Sequence, residues 1–289
     1  MDTSPRDRLI TANRLTQHLL EWGSEGRPVV LLLHGFLEHA HVWDWAAPRL
    51  AAAGYHVFAL DWPGHGDSEW VGPGGYYHFA DYAAVLAGVV RGLGGNAVLV
   101  GHSMGGTAAL IYAGTEPACV TAAVSIEGLG PPGMSPDMAP ERYAQWLRDL
   151  ERIDIRHGRS LSLEEATERV RARWPQFTDR IAAHIAEWGT RENNGKRFWK
   201  FDPLHQTTAP QPFYLAQAQA FWRRITCPVL YVDGGASAMH LPSAELAEHL
   251  ALLRANRATI DGAGHHPHLE RPEALADAVV QFLETGASG

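Results

Sequence analysis

Several short runs of the chain are apolar at nearly every position: Val29-Val30-Leu31-Leu32-Leu33, His56-Val57-Phe58-Ala59-Leu60, Ala97-Val98-Leu99-Val100, Thr121-Ala122-Ala123-Val124-Ser125-Ile126, Val229-Leu230-Tyr231-Val232 and Ala258-Thr259-Ile260. A strand with one wet face alternates polar and apolar residues, and the central runs do not. They read as strands buried on both faces, which calls for a parallel sheet with helices on either side. Helical patterns fall between them, over roughly 42–53, 79–93, 103–114, 243–253 and 272–283. The last opens on Pro272, whose missing N–H is not needed in a first turn. Residues 10–22 fit one or two antiparallel edge strands. The expected fold class is α/β, with a mostly parallel, doubly wound central sheet.

One stretch breaks this rhythm. Between Ile126 and Val229 there is no comparable buried strand. It opens on a Gly/Pro linker, Gly128-Leu129-Gly130-Pro131-Pro132-Gly133, and continues with helical signals, among them Ser162-Leu163-Glu164-Glu165, a capping box. The expected organisation is a core of 1–127 and 223–289 with a helical cap inserted at 128–222. The insertion carries Trp146, Trp174, Trp188, Trp199 and Trp222, half of the ten tryptophans. They can form a small core of their own, and one or two can line an apolar pocket beneath a lid.

Composition narrows the class of partner. At 46% hydrophobic and 19% charged the chain is globular rather than disordered. A net charge of −8 argues against nucleic acid. No apolar run approaches the roughly 18 residues of a membrane span, and the start, Met1-Asp2-Thr3-Ser4-Pro5-Arg6-Asp7-Arg8, is polar where a signal peptide needs an apolar stretch. Cys119 and Cys227 are too few for a disulfide framework and read as two buried, reduced thiols. A cytoplasmic location is expected.

The chemistry concentrates at three turns. Gly101-His102-Ser103-Met104-Gly105-Gly106 follows an apolar strand and opens a helix with nothing between. A serine in Gly-x-Ser-x-Gly at such a junction sits in a tight backbone turn that lifts its hydroxyl above the sheet and aims the next amide, that of Met104, at an incoming oxyanion. Leu33-His34-Gly35-Phe36 follows the first buried strand, and its turn offers the Phe36 N–H as a second oxyanion donor. His34 is expected to hydrogen-bond its neighbouring loops, and His34, His102 and Trp188 are the candidates for lining the substrate site. Asp261-Gly262-Ala263-Gly264-His265-His266-Pro267-His268 follows the last strand, at the sheet edge from which a general base must come. His265 is best placed, with His266 and His268 as alternatives. No carboxylate–histidine ligand motif accompanies these histidines, and Glu38-His39-Ala40-His41 lacks the spacing of a dinuclear hydrolase, so neither metal nor cofactor is expected.

His34-Gly35, Asp61-Trp62-Pro63-Gly64-His65-Gly66-Asp67-Ser68, the Ser103 turn and Gly264-His265 resemble, in order and spacing over essentially the whole chain, the α/β-hydrolase fold family. The insertion falls where that family carries its helical cap. Tyr76-Tyr77-His78-Phe79, and Gly189-Thr190 leading to Asp202-Pro203-Leu204, further resemble its serine hydrolase-like subgroup. The resemblance implies a Ser103–His265–acid triad. In many relatives the acid is an Asp after the strand that follows the cap. Here that place falls on Ser237 or Ala238 in Asp233-Gly234-Gly235-Ala236-Ser237-Ala238. A second family location, after the strand preceding the cap, holds Glu127. Glu127 is taken as the acid and Asp233 as its alternative. The expected function is hydrolysis of small apolar carboxylic esters through an acyl-enzyme, without cofactor. Carbon–carbon cleavage of a dioxo acid is the enzymatic alternative, for which Arg191, Lys196, Arg197 and Lys200 are available. A slow-turnover receptor is the non-enzymatic one. Serine at the turn speaks against haloalkane dehalogenases and epoxide hydrolases, which in that family carry Asp there.

Overall fold

A computed structural model describes residues 4–153 and 160–286; the first three residues of the polar start, 154–159 of the insertion and 287–289 lie outside the described residues. A hairpin of β1 (Arg6–Ala12) and β2 (Leu15–Trp22) leads into β3 (Val29–Leu33), α1 (Ala47–Ala52), β4 (His56–Leu60), α2 (Phe79–Gly92), β5 (Ala97–His102), α3 (Met104–Thr115) and β6 (Val120–Ile126). Then come α4 (Ala139–Arg152), α5 (Leu163–Arg173), α6 (Asp179–Gly189), the short strands β7 (Thr190–Asn193) and β8 (Lys196–Trp199), and α7 (Leu215–Trp222). The chain returns with β9 (Val229–Gly234), α8 (Ser243–Leu253), β10 (Asn256–Ile260), α9 (Pro267–Glu270) and α10 (Pro272–Gly286).

The main sheet has eight strands in the order β1-β2-β4-β3-β5-β6-β9-β10. The β1–β2 and β2–β4 pairs are antiparallel and all the others are parallel. The lack of alternation in the apolar runs has a direct cause, because each strand feeds two cores. Val30 and Leu32 of β3 pack on one face with Leu50 of α1 and Val279 of α10. Leu31 and Leu33 pack on the other with Leu86 of α2 and Leu110 of α3. From β3 the chain moves outward to β4, then crosses back to β5 on the opposite side of β3. The switch point of this doubly wound sheet therefore lies between the carboxyl ends of β3 and β5, where such folds place their sites.

Two local expectations differ from the structure. The 42–53 pattern is divided into a 3₁₀ turn, Ala40–Trp43, and α1 beginning at Ala47. Pro48 is the reason: inside one continuous helix its ring would clash with the preceding turn and a hydrogen bond would be lost, whereas in a first turn it is harmless. The insertion also contains a two-stranded antiparallel sheet, β7–β8, turned by Asn194-Gly195 with both residues at positive φ (53° and 72°). That is a hairpin turn matching the twist of its strands. Cys119 and Cys227 are unpaired as expected, but half-buried rather than buried. No helix among the described residues is long and apolar enough to cross a membrane.

The edge hairpin is tied to the loops that carry the site. Buried Asp61, just after β4, accepts the Ala40 N–H at 2.6 Å, the Asp67 N–H at 3.0 Å and His18 Nδ1–H of β2 at 2.7 Å. Burial alone would lower the His18 pKa, but the Asp61 carboxylate, with Asp7 on the other ring nitrogen, raises it to about 9. A raised folded-state pKa means stability that is full below the unfolded value of about 6.5 and is lost as pH climbs to about 9. It amounts to at most about 3 kcal/mol. The unfolding free-energy gap between wild type and His18→Gln should therefore be large near pH 6 and close by about pH 9. A gap independent of pH would show His18 to be uncharged in the folded protein.

Candidate active site

Ser103 sits between the last residue of β5 and the first of α3 with φ 50° and ψ −114°. A non-glycine residue there costs on the order of 1–3 kcal/mol and persists only where its surroundings enforce it. The enforcement is visible. Ser103 N–H donates to Ile126 O at 2.8 Å, and Thr107 N–H donates to Ser103 O at 3.0 Å. A Cβ at Gly101 would run into the Gly105 backbone, and one at Gly105 would overlap the Leu33 carbonyl, so both positions need glycine. Ser103 and Met104 remain half-buried at the N-terminus of α3, whose orphan amides favour negative charge. The close approach of Gly105 to the carbonyls of Leu33 and His34 brings the first turn of α3 against the loop holding Phe36, which is exposed.

His265 leaves β10 through two glycines. Its Nδ1–H donates to Glu127 Oε2 at 3.2 Å, and its carbonyl accepts from His102 Nε2–H at 2.8 Å. With Nδ1 occupied, Nε2 is the basic nitrogen. The loop is pinned by Glu270, which accepts the Gly264 and His266 N–H groups at 2.9 and 3.2 Å.

Glu127 directly follows β6 at φ 52°, its side chain 1% exposed. Oε1 accepts the Gly234 N–H at 2.9 Å, and Oε2 accepts Ser237 Oγ–H at 2.9 Å as well as His265. Burial alone would raise its pKa, but the bonds from His265, Gly234 and Ser237 outweigh burial and hold the carboxyl below its usual range. Asp233 is fully buried and points elsewhere. Oδ2 takes Arg257 at 2.5 Å and Oδ1 takes Thr259 Oγ–H at 2.7 Å, which staples β9 to β10.

The three candidates for lining the substrate site have partners within the protein. His34 is completely buried; its Nδ1–H donates to Gly35 O at 2.7 Å and its Nε2 accepts the Trp62 N–H at 3.1 Å. His102 spans His265 O and Glu38 Oε2, the latter at 3.1 Å. Trp188 of α6 is 41% exposed and stacks on His41 with centroids 3.7 Å apart. His266 and His268 turn inward, toward Glu38 rather than Glu127. The insertion's aromatic at the site is Trp174, just after α5, stacked on His265 at 6.1 Å and edge-on to His266 at 4.3 Å. Trp222 is buried in the core.

Sequence reasoning missed Glu38. Its Oε2 accepts the Gly35 N–H at 2.6 Å and faces His102, joining the Phe36 turn to the carbonyl of His265 through one carboxylate. Burial opposes its charge, but the imidazoles of His102, His268 and His266 hold its pKa well below the usual range. The available signal was a carboxylate three residues after a glycine at the end of a buried strand. His102, next to Ser103 in sequence, bonds the His265 carbonyl and so joins the strained serine turn to the loop whose imidazole is backed by buried Glu127; a hydroxyl at a helix N-terminus and such an imidazole are the components of nucleophilic acyl transfer.

A probable serine hydrolase of Drosophila melanogaster is 28% identical over 275 residues, 91% of this chain and 83% of that protein. Epoxide hydrolase A of Mycobacterium tuberculosis is 28% identical over 326 residues, 97% of this chain and 98% of that one. The solved thioesterase domain from the curacin biosynthetic pathway superposes with a TM-score of 0.86 at 26% identity, over 96% of this chain and 99% of the domain. The family profile described as the alpha/beta hydrolase family matches residues 30–278, from β3 into α10, and the chain belongs to that family.

Proposed function

We propose that this hydrolase cleaves carboxylic esters through an acyl-enzyme on Ser103. The observation that carries the reading is the bond from His265 Nδ1–H to the ionised Glu127, which leaves Nε2 to act on the serine at the head of α3. Nε2 takes the Oγ proton as Oγ adds to the ester carbonyl. The Met104 and Phe36 amides hold the resulting oxyanion, and Glu127 stabilises the imidazolium. Collapse expels the alkoxide, which receives the proton from Nε2–H. Water then adds to the acyl-enzyme by the same path, and the acid leaves. The curacin thioesterase domain favours acyl transfer over epoxide opening.

Three of the four basic residues invoked for the dioxo-acid alternative have other partners. Lys200 pairs with Asp67 at 2.6 Å, Arg197 with Glu187 at 3.0 Å, and Arg191 lies over the Trp70 ring. The unpaired cysteines, with burial pushing the Cys227 thiol up to about 11, fit a reducing, cytoplasmic setting and no part in the chemistry.

The reading treats 128–222 as a cap over a core of 1–127 and 223–289, with Trp174 as its contact to the catalytic histidine. The deciding experiment is a rate profile over aryl esters of increasing acyl length, with Ser103→Ala as control. Steady turnover supports an esterase; a single burst without turnover would support a receptor. In the same assay Trp174→Ala should change the ranking of acyl lengths more than the rate on the acetyl ester. A uniform fall for all esters would mean that Trp174 serves folding alone.

A further inference from the structure

Behind the Ser103 turn, Glu38, His102, His266 and His268 arrive from separate segments and meet. Glu38 Oε2 lies 3.1 Å from His102 Nδ1 and 3.7 Å from His268 Nε2, while Oε1 lies 3.4 Å from His266 Nε2. Trp43 packs on His268, and Phe177 and Trp174 pack on His266. All four side chains are nearly or wholly inaccessible, at 11, 2, 3 and 0%.

Two features of this cluster are not accounted for by packing. His268 is fully buried, and neither ring nitrogen has a hydrogen-bond partner; His266 Nδ1 is in the same position. A buried polar group left without a partner is costly unless something binds it. Second, both nitrogens of His102 face acceptors, the Glu38 carboxylate and the His265 carbonyl. With its N–H on the His265 carbonyl, a neutral His102 would set the Nδ1 lone pair against the Glu38 carboxylate, a contact that a cation between them relieves.

We propose that the cluster is a binding site for a divalent first-row transition-metal ion, best suited to zinc, held by His102 Nδ1, His268 Nε2 and the Glu38 carboxylate, with His266 Nε2 drawn in from the other carboxylate oxygen as the fourth donor. Tetrahedral zinc, with bonds of about 2.0–2.2 Å to nitrogen and oxygen, sets neighbouring donors about 3.3 Å apart. Glu38 Oε2 lies 3.1 Å from His102 Nδ1 and 3.7 Å from His268 Nε2, on either side of that value, and the ligand atoms of these three residues all lie within 4.8 Å of one another; His266 Nε2 approaches from the other carboxylate oxygen, at 3.4 Å. Three imidazoles and one carboxylate select zinc, copper or nickel over magnesium or calcium. The ion takes the Nδ1 lone pair of His102, and any proton there leaves to solvent. His102 Nε2–H keeps its bond to His265 O, the kind of outer contact that orients a ligating imidazole. No short spacing announces the site, because only His266-Pro267-His268 supplies two of its donors together.

The ion acts on the proposed ester chemistry without touching Ser103, a consequence that rests on the Ser103–His265 reading. Drawing Glu38 toward three imidazoles loosens its 2.6 Å bond from the Gly35 N–H at the oxyanion turn and shifts the His102 ring that carries the His265 loop. Metal binding is therefore inhibitory.

The test is titration of the chelator-treated full chain with Co²⁺, then Zn²⁺. One cobalt per chain should bind with the strong visible bands of a four-coordinate site and be displaced by zinc. Ester hydrolysis should fall at the same stoichiometry and return on chelation. His268→Gln should keep its ester turnover while losing at least about 10-fold in metal affinity, since removing only an outer-shell partner already costs 10–100-fold. If that variant fails to fold, the wild-type protein still decides, because one equivalent of zinc should raise its Tm. No stoichiometric binding, or binding undiminished in His268→Gln, would overturn the site. Binding without inhibition would leave the site standing and remove its link to the oxyanion turn. A metal-free protein inert to every ester would count against the esterase reading, not the site.

Discussion

Replacing Ser103 with alanine is expected to lower kcat for ester hydrolysis by about 10³-fold or more, a barrier increase of about 4 kcal/mol or more. The change removes only Oγ. The Cβ, the strained turn and the Met104 and Phe36 amides all remain, so substrate binding should survive and the loss should fall on kcat rather than KM. An organophosphonate probe should label Ser103 alone in the wild-type protein and nothing in the variant. Normal hydrolysis by Ser103→Ala, or labelling at another serine, would remove Ser103 from the mechanism. The backbone supplies an independent check. At φ 50° and ψ −114° the residue occupies a region that L side chains avoid, and glycine enters it freely. Ser103→Gly should therefore be as inactive as Ser103→Ala yet more stable than it, by about 1 kcal/mol in urea unfolding. The strain is then a cost of presenting the hydroxyl, with no role in holding the fold.

How much could be read in advance depended on whether one short stretch of chain held the whole reason. The β3 and β4 runs match the observed strands because strands buried on both faces show an unbroken apolar pattern, and Val30/Leu32 and Leu31/Leu33 do divide between two cores. The turns that carry Ser103 and His265 were legible because their neighbouring glycines, Gly101 and Gly105 for the first and Gly262 and Gly264 for the second, mark them within a few residues of chain. The division of the 42–53 pattern at Pro48 and the Asn194-Gly195 hairpin were also written locally, and were overlooked against the stronger helical periodicity around them. Glu38 was not legible. Its role comes from contacts with Gly35, His102, His266 and His268, and of these only Gly35 is near it in sequence. Trp174 could be recognised as aromatic, but packing alone selects it over the other insertion tryptophans as the neighbour of His265.

Exchanging Glu127 for glutamine should lower kcat by roughly 10²- to 10⁴-fold, and the hydrogen bonds around it say why so small a change matters. Oε1 faces the Gly234 N–H, a group that can only donate. The amide oxygen of glutamine must take that place, because the opposite flip would set two donors against each other. The NH₂ group then occupies the Oε2 position, facing Ser237 Oγ, which can turn to accept, and His265 Nδ1. To accept from the amide, Nδ1 must lose its hydrogen, which moves to Nε2. That tautomer cannot take a proton from Ser103, and the imidazolium loses its countercharge as well. Acid should act on the wild type in the same direction. The Glu127 carboxyl is held below its usual range, so its charge, and the stability it brings, is complete above the ordinary carboxylate pKa and is lost only as pH falls through the lower folded value. Asp233→Asn is the contrasting variant. Its carboxylate pairs with Arg257 and Thr259, so the loss should appear as a lower Tm with kcat within a few-fold of wild type. A drop in kcat for Asp233→Asn matching that of Glu127→Gln would return the role of acid to the strand after the insertion.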